Sequence, residues 1–221
     1  NKKFYFLEMN TRIQVEHPIT EMITNIDLVK EQIKIAFGKK ISLNKNNIIF
    51  NGHAIECRIY AEDGFNNFIP CTGVIEEIIF PQGLGVRIDE GIHRGQNITS
   101  YYDPLLAKLI IWGINRKEAI KRMIRALKEF NIYGVNTNIP FCKMFCQQQV
   151  FIKGKYSTKT LDLILKNMIN QKNNLNSKEI IAASIGVLKF ELSNKEKLDN
   201  KFIKSDSIDN WVKIGRLKNL K

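Results

Sequence analysis

The sequence predicts a mixed α/β chain, and three features carry that prediction. Apolar residues make up 44% of the 221 positions, enough to bury a sizeable core. Short alternating runs, separated by Gly, Pro, Asn and Asp, recur between residues 47 and 112, as antiparallel strands require. Apolar residues then fall at three- and four-residue steps between 117 and 130, as one face of a helix does.

Taken in order, residues 3–16 alternate and are rich in Val, Ile, Phe and Tyr, so they read as an extended segment. His17-Pro18 punctuates, with Pro18 suited to a first helical turn. Met22, Ile26, Val29, Ile33 and Phe37 follow at helical spacing up to Gly38, and two helices broken near Asn25 fit them best. Alternation returns at Ile48–Phe50 and Ala54–Tyr60, with Asn51-Gly52 between them as a hairpin turn or a bulge. Strands are expected at Val74–Phe80, Gly85–Ile88 and Leu105–Trp112, and a helix capped by Asn115 closes the sheet. Further helices are expected at Ile139–Gln147, from Ser157 or Thr158 through Leu165, and at Lys178–Leu192. The Asn-rich stretch 167–177 reads as a linker, and Trp211 lies in a short terminal apolar patch. The expected organisation is therefore residues 1–47, 48–166, and a tail at 167–221.

The net charge is +12 and the pI about 9.5. Residues 1–150 carry 19 basic and 15 acidic groups and residues 151–221 carry 15 and 7, so the tail is the basic part. That excess is Lys scattered among Asn, with no interleaved stacking aromatics, so no nucleic-acid partner is expected. No stretch approaches the roughly 18 apolar residues of a membrane span, and the first ten lack a secretory pattern. A soluble protein is expected. Because residue 1 is not Met and an apolar run opens almost at once, the chain reads as one cut inside a larger protein. Cys142 and Cys146 stand one helical turn apart and could form half of a metal site, but buried free thiols suit the four irregularly spaced cysteines better.

The opening segment carries the chemistry. Glu8, Asn10, Arg12, Gln14 and Glu16 occupy alternate positions and would share one strand face. Such a face could ligate Mg²⁺ through carboxylate and amide oxygens and hold a small oxyanion on Arg12, or it could be the wet face of an ordinary strand. In a straight strand Glu8 and Glu16 lie roughly 26 Å apart. Either the chain bends near Arg12 or the two ends serve different reactants.

Phe-Leu-Glu-Met-Asn-Thr-Arg-Ile-Gln-Val-Glu-His-Pro-Ile-Thr-Glu (residues 6–21) resembles the motif of biotin carboxylases, the ATP-grasp subunits of biotin-dependent carboxylases. Gly52–Asp63, Tyr102–Leu109 and Gly134–Asn138 fit the same family, and the resemblance runs from residue 3 to about 165. It implies the C-terminal part of an ATP-grasp domain followed by the carboxylase C-terminal domain, with mixed antiparallel sheet and helices. It also implies a ligase reaction in which ATP phosphorylates bicarbonate to carboxyphosphate, which delivers CO₂ to biotin on a separate carrier. Glu8 and Asn10 match the residues that hold Mg²⁺ (or Mn²⁺) and the ATP phosphates. Arg12, Gln14 and the backbone N–H of Val15 match the bicarbonate clamp. Glu16 matches the general base, and Arg58 the cation that stabilises charge on the biotin ureido oxygen.

The resemblance further implies a biotin carboxyl carrier, a carboxyltransferase subunit and a homodimer as partners. The tail is weakly similar to that of acyl-CoA carboxylases of the propionyl-CoA type. The family's N-terminal domain, glycine-rich lid, ATP-contacting lysines and second acidic metal ligand have no counterpart in the sequence. The chain alone is therefore expected to be inactive, with a non-catalytic dimerisation or docking module as the alternative reading. His17 and His53 are expected to be structural, and Lys108 to pack or pair.

Overall fold

The computed structural model describes residues 4–41, 43, 48–173 and 184–189. They fall in two compact units, residues 1–158 and 159–221. In the first unit the order is α1 (His17–Thr24), α2 (Leu28–Ala36), β1 (His53–Tyr60), β2 (Glu62–Asp63), β3 (Ile69–Pro70), β4 (Gly73–Val74), β5 (Glu77–Ile79), β6 (Val86–Glu90), β7 (Asn97–Ile98), β8 (Leu105–Gly113), α3 (Arg116–Glu129), β9 (Asn131–Tyr133), α4 (Ile139–Cys146) and α5 (Gln149–Ile152). In the second unit α6 spans Thr160–Asn173, and residues 184–189 are helical. The rest of the helix expected at 178–192, and Trp211, lie outside the described residues.

The centre is a three-stranded antiparallel sheet in the order β1-β8-β6. Strand alternation gives it two unlike faces. Ile55, Ile59, Leu109 and Ile111 point to one side, where Ala119, Ile120, Met123, Ala126 and Leu127 of α3 complete a dry core with Phe130. Helix α3 starts where expected because the Asn115 side chain accepts from the Glu118 N–H at 3.0 Å. On the other side β1 residue Arg58 stands opposite Lys108 of β8, which stands opposite Asp89 of β6. This polar face lies toward α1.

A second, smaller core gathers Ala61, Ile75, Ile92, Ile98 and Leu106. The expected strand at Val74–Phe80 divides here, because Ile75 N–H bonds Gln96 O while Glu76 N–H bonds Tyr133 O. One run thus serves two ladders, β4 with β7 and β5 with β9. Gly134 is required in this exchange: its φ is +99° and a Cβ would collide with Val74 O.

Three sequence expectations are corrected, one of them in the second unit, where α6 runs past Leu165 through Asn173 into the stretch expected as a linker. Residues 4–14 form no strand, and the described residues give them no ladder partner. Leu7 and Met9 are as exposed as their polar neighbours, so alternation there has no buried face to register against. Ile48–Phe50 form no strand either, and Asn51-Gly52 is neither hairpin nor bulge. It docks instead: Trp112 Nε1 donates to Asn51 O at 2.9 Å, and Gly52, at φ +70°, leaves room for the indole. The break between α1 and α2 is as expected, with Asn25 left-handed at φ 57°.

All four cysteines are free thiols; Cys146 is in the dry core, with Cys57 and Cys142 packed against it. No helix of the described residues is long and apolar enough to cross a membrane.

Asn115→Ala is expected to cost about 1 kcal/mol and Met123→Ala about 2–5 kcal/mol. Urea unfolding checks both: the midpoints should fall in that order with the slope unchanged.

Candidate functional site

The site begins where the extended segment turns into α1. His17 Nδ1 contacts Gln14 O at 2.7 Å, the His17 N–H bonds the same oxygen at 3.2 Å, and Ile19 N–H bonds Glu16 O at 3.1 Å. This tight turn, followed by fully buried Pro18, swings Glu16 off the line of the preceding residues. Its carboxylate meets Arg58 of β1, whose Nη2 donates to Glu16 Oε2 at 2.7 Å. The bend expected near Arg12 is present at Arg12 itself, and the chain turns again at residues 15–16.

The turn is tied down from the sheet. Lys108 Nζ donates to Val15 O at 3.3 Å and pairs with Asp89 at 3.2 Å. Arg87 grips Asp89 through two hydrogen bonds, at 2.8 and 3.0 Å, and reaches Glu21 of α1 at 2.7 Å. The other oxygen of Glu21 accepts from the Leu28 N–H at 2.8 Å, which fixes the start of α2. Arg58 is held at its backbone: Asn138, buried at the head of α4, donates from Nδ2 to Arg58 O at 3.1 Å and accepts from the Tyr60 N–H at 3.0 Å.

Glu8, Asn10, Arg12, Gln14 and Glu16 line one open hollow of about 660 Å³, floored by Leu28, Gln32 and Ile35 of α2. These five reach one hollow without a strand, but Met9 and Ile13 from the intervening positions line it too, so the expected division into two faces does not hold. Arg58 stands outside that lining and is joined to it through Glu16. Val15 contributes its carbonyl to Lys108. Arg12 is exposed and makes one local bond, to Ile13 O at 3.3 Å. Glu8 and Asn10 supply hard oxygen donors suited to Mg²⁺. No cluster of three or more His, Cys, Asp or Glu among the described residues could hold a metal, so the two fit a minor share of its shell, beside phosphate oxygens and water.

Electrostatics separate the carboxylates. Burial pushes Asp89 up, but the hydrogen bonds and charges of Arg87 and Lys108 outweigh it and hold the group below the usual aspartate range. Glu56, on the same face two residues from Arg58, is driven up by burial, with Lys108 and Arg58 pulling back only in part. Its side chain is 3% exposed, and neither oxygen has a hydrogen-bond partner. His53 lies away from this region, 3.3 Å from Arg116; burial, then that guanidinium, lowers its pKa.

Sequence reasoning reached Glu56 only as a candidate ion-pair partner of Arg58, a pair the structure shows at 3.9 Å, and missed Arg87, Asp89 and Glu21 as parts of the site. Arg87 and Asp89 carry a signal, since they are two apart on a strand, but their target becomes visible only with the β6-β8 register.

Two family descriptions match the chain: the carbamoyl-phosphate synthase L chain ATP-binding domain over residues 1–44 and the biotin carboxylase C-terminal domain over residues 56–163. Among curated relatives, biotin carboxylase 1 of Bacillus subtilis is 50% identical over 161 residues, 73% of this chain and 36% of that protein. The human mitochondrial propionyl-CoA carboxylase alpha chain is 43% identical over 219 residues, 95% of this chain and 30% of that protein. The chain thus spans about a third of the length of such relatives. Among solved structures, the biotin carboxylase domain dimer of Hydrogenobacter thermophilus 2-oxoglutarate carboxylase, in complex with MgADP, ADP and bicarbonate, superposes with a TM-score of 0.70 at 47% identity. That match covers 72% of this chain and 35% of that one.

The two carboxylates make opposite predictions for stability against pH. Asp89, depressed when folded, stabilises the fold above its ordinary value of 3.8, and that stability is lost as pH falls through the lower folded value. Glu56, raised when folded, costs stability once pH climbs past 4.5. At pH 7 Asp89→Asn should therefore lower Tm and Glu56→Gln should raise it, and both differences should close in acid. Thermal melts between pH 3 and pH 7 check the signs.

Proposed function

The chain belongs to the biotin carboxylase family, and from that membership we propose that it supplies the bicarbonate- and biotin-handling portion of an ATP-dependent biotin carboxylase. The observation that carries the reading is the Glu16–Arg58 ion pair, which joins two motifs 42 residues apart at the edge of the hollow lined by Glu8, Asn10, Arg12 and Gln14.

In this reading ATP phosphorylates bicarbonate, and the resulting carboxyphosphate delivers CO₂ to a ureido nitrogen of biotin. Mg²⁺, when bound, neutralises phosphate charge during the phosphoryl transfer. Glu8 and Asn10 offer it oxygen donors and orient the nucleotide phosphates. Arg12 supplies a planar fork that matches the two oxygens of bicarbonate, with Gln14 and the Val15 N–H completing the clamp. Glu16, at the end of that clamp, accepts the bicarbonate proton. Arg58 provides a fixed cation where negative charge develops on the ureido oxygen, and the Asn138 bond to its backbone keeps it aimed.

A carrier domain brings biotin to this edge, and a carboxyltransferase takes the product onward. Dimerisation through the carboxylase portion is supported by the dimeric Hydrogenobacter relative. The match to the propionyl-CoA carboxylase alpha chain through 95% of the chain supports an acyl-CoA carboxylase assembly. A cytoplasmic or mitochondrial-matrix location suits that assembly.

The 221-residue chain alone is expected to show no bicarbonate-dependent ATP hydrolysis. Joined behind the N-terminal portion of the Bacillus subtilis relative, it should carboxylate free biotin. Arg12→Ala or Arg58→Ala should then lower the rate on the order of 100-fold. A purely docking role predicts wild-type rates in both variants, and a wild-type joined protein that does not carboxylate biotin overturns the enzymatic reading.

A further inference from the structure

Glu56 takes no part in the chemistry above, yet it lies beside Arg58. Two residues apart on β1, their side chains share the polar face of the sheet. Glu56 Oε1 is 3.9 Å from Arg58 Nε, just beyond hydrogen-bond reach, and both Glu56 oxygens are buried without partners. Arg58 Nη2 already donates to Glu16 at 2.7 Å. The guanidinium therefore stands between an outer, half-exposed carboxylate that it holds and an inner, buried one that it nearly holds.

This asymmetry bears on how Glu16 works as a base. The Glu16 oxygen bonded to Arg58 has a lone pair engaged, and letting go frees it for a proton. Release leaves the guanidinium only the Tyr60 side chain as a partner, and its charge goes unmatched unless another carboxylate stands ready. A shift of about 1 Å brings Nε within range of Glu56. The same shift satisfies a buried oxygen that is costly to leave unpaired. The strand need not move, because Asn138 holds the Arg58 carbonyl at 3.1 Å.

We propose that Glu56 is a positioning residue that takes up Arg58 through Nε when Glu16 lets go, so that the cation stays aimed while the Glu16 carboxylate is free to act as base. The proposal rests on the roles given to Glu16 and Arg58 above.

The test is a double-mutant cycle in the joined enzyme, read by bicarbonate-dependent ATP hydrolysis. Glu56→Gln should lower kcat about tenfold and leave KM for bicarbonate within about twofold. In an Arg58→Ala background the same substitution should change kcat by less than about twofold, since no guanidinium remains to be held. A merely structural role predicts equal losses in both backgrounds. That result, or wild-type kcat in Glu56→Gln alone, overturns the proposal. Thermal melts establish that the variant folds; if it does not, Glu56→Asp, which keeps the charge but draws it back by one methylene, is held to the same two outcomes. Wild-type rates of biotin carboxylation in Arg58→Ala, or a wild-type joined enzyme that does not carboxylate biotin, defeat the functional reading itself and this inference with it, and so are distinct from a failure of Glu56 alone.

Discussion

The antiparallel register of β1 on β8 sets two cations, Arg58 and Lys108, directly opposite each other. Like charges in that position repel, and a sheet that keeps them must surround them with anions. Asp89 comes from β6 on the far side of Lys108, Glu56 from the neighbouring position on β1, and Glu16 from the turn before α1. Lys108 also captures a carbonyl from that turn, at Val15. The charged face thereby holds the motif segment against the sheet, although the segment has no strand pairing of its own. Arg87 extends the hold by linking Asp89 to Glu21, which in turn fixes the start of α2 and the floor of the hollow.

This arrangement depends on the opposite face being ordinary. Ile59, Leu109, Ile111 and Met123 are fully buried between sheet and α3, and their packing fixes the register that aligns the charges. A slip of one residue would send Arg58 and Lys108 into the core. The functional pairing is thus enforced from behind by hydrophobic burial, while the ion pairs themselves are partly exposed and worth little as stabilisers. Their value is geometric.

Much of the fold was legible in the sequence for local reasons. Helix α3 announced itself through Asn115 and the Ala119, Ile120, Met123, Ala126 and Leu127 spacing, and the α1–α2 break through Asn25. The pattern Glu8, Asn10, Arg12, Gln14, Glu16 pointed to a shared lining, but Met9 and Ile13 join it from the intervening positions, so a single face is not what brings the five together. The pattern erred in supplying a strand, since alternation reports a local backbone preference and says nothing of a ladder partner. Asn51-Gly52 misled likewise: the pair offers a left-handed backbone, and here that freedom is used to let Trp112 approach.

The sequence by itself determined the identities and order of the reactive groups, the two motifs that carry them, and the helices and strands on which most of them ride, because these depend on residues close in the chain. Tertiary structure alone decided that Glu16 meets Arg58, that Lys108 and Arg87 serve as ties, and that Glu56 is buried without a hydrogen bond beside the guanidinium. Those outcomes depend on strand register and on the angle at which the 15–16 turn enters α1, both set by how distant segments pack rather than by any local preference.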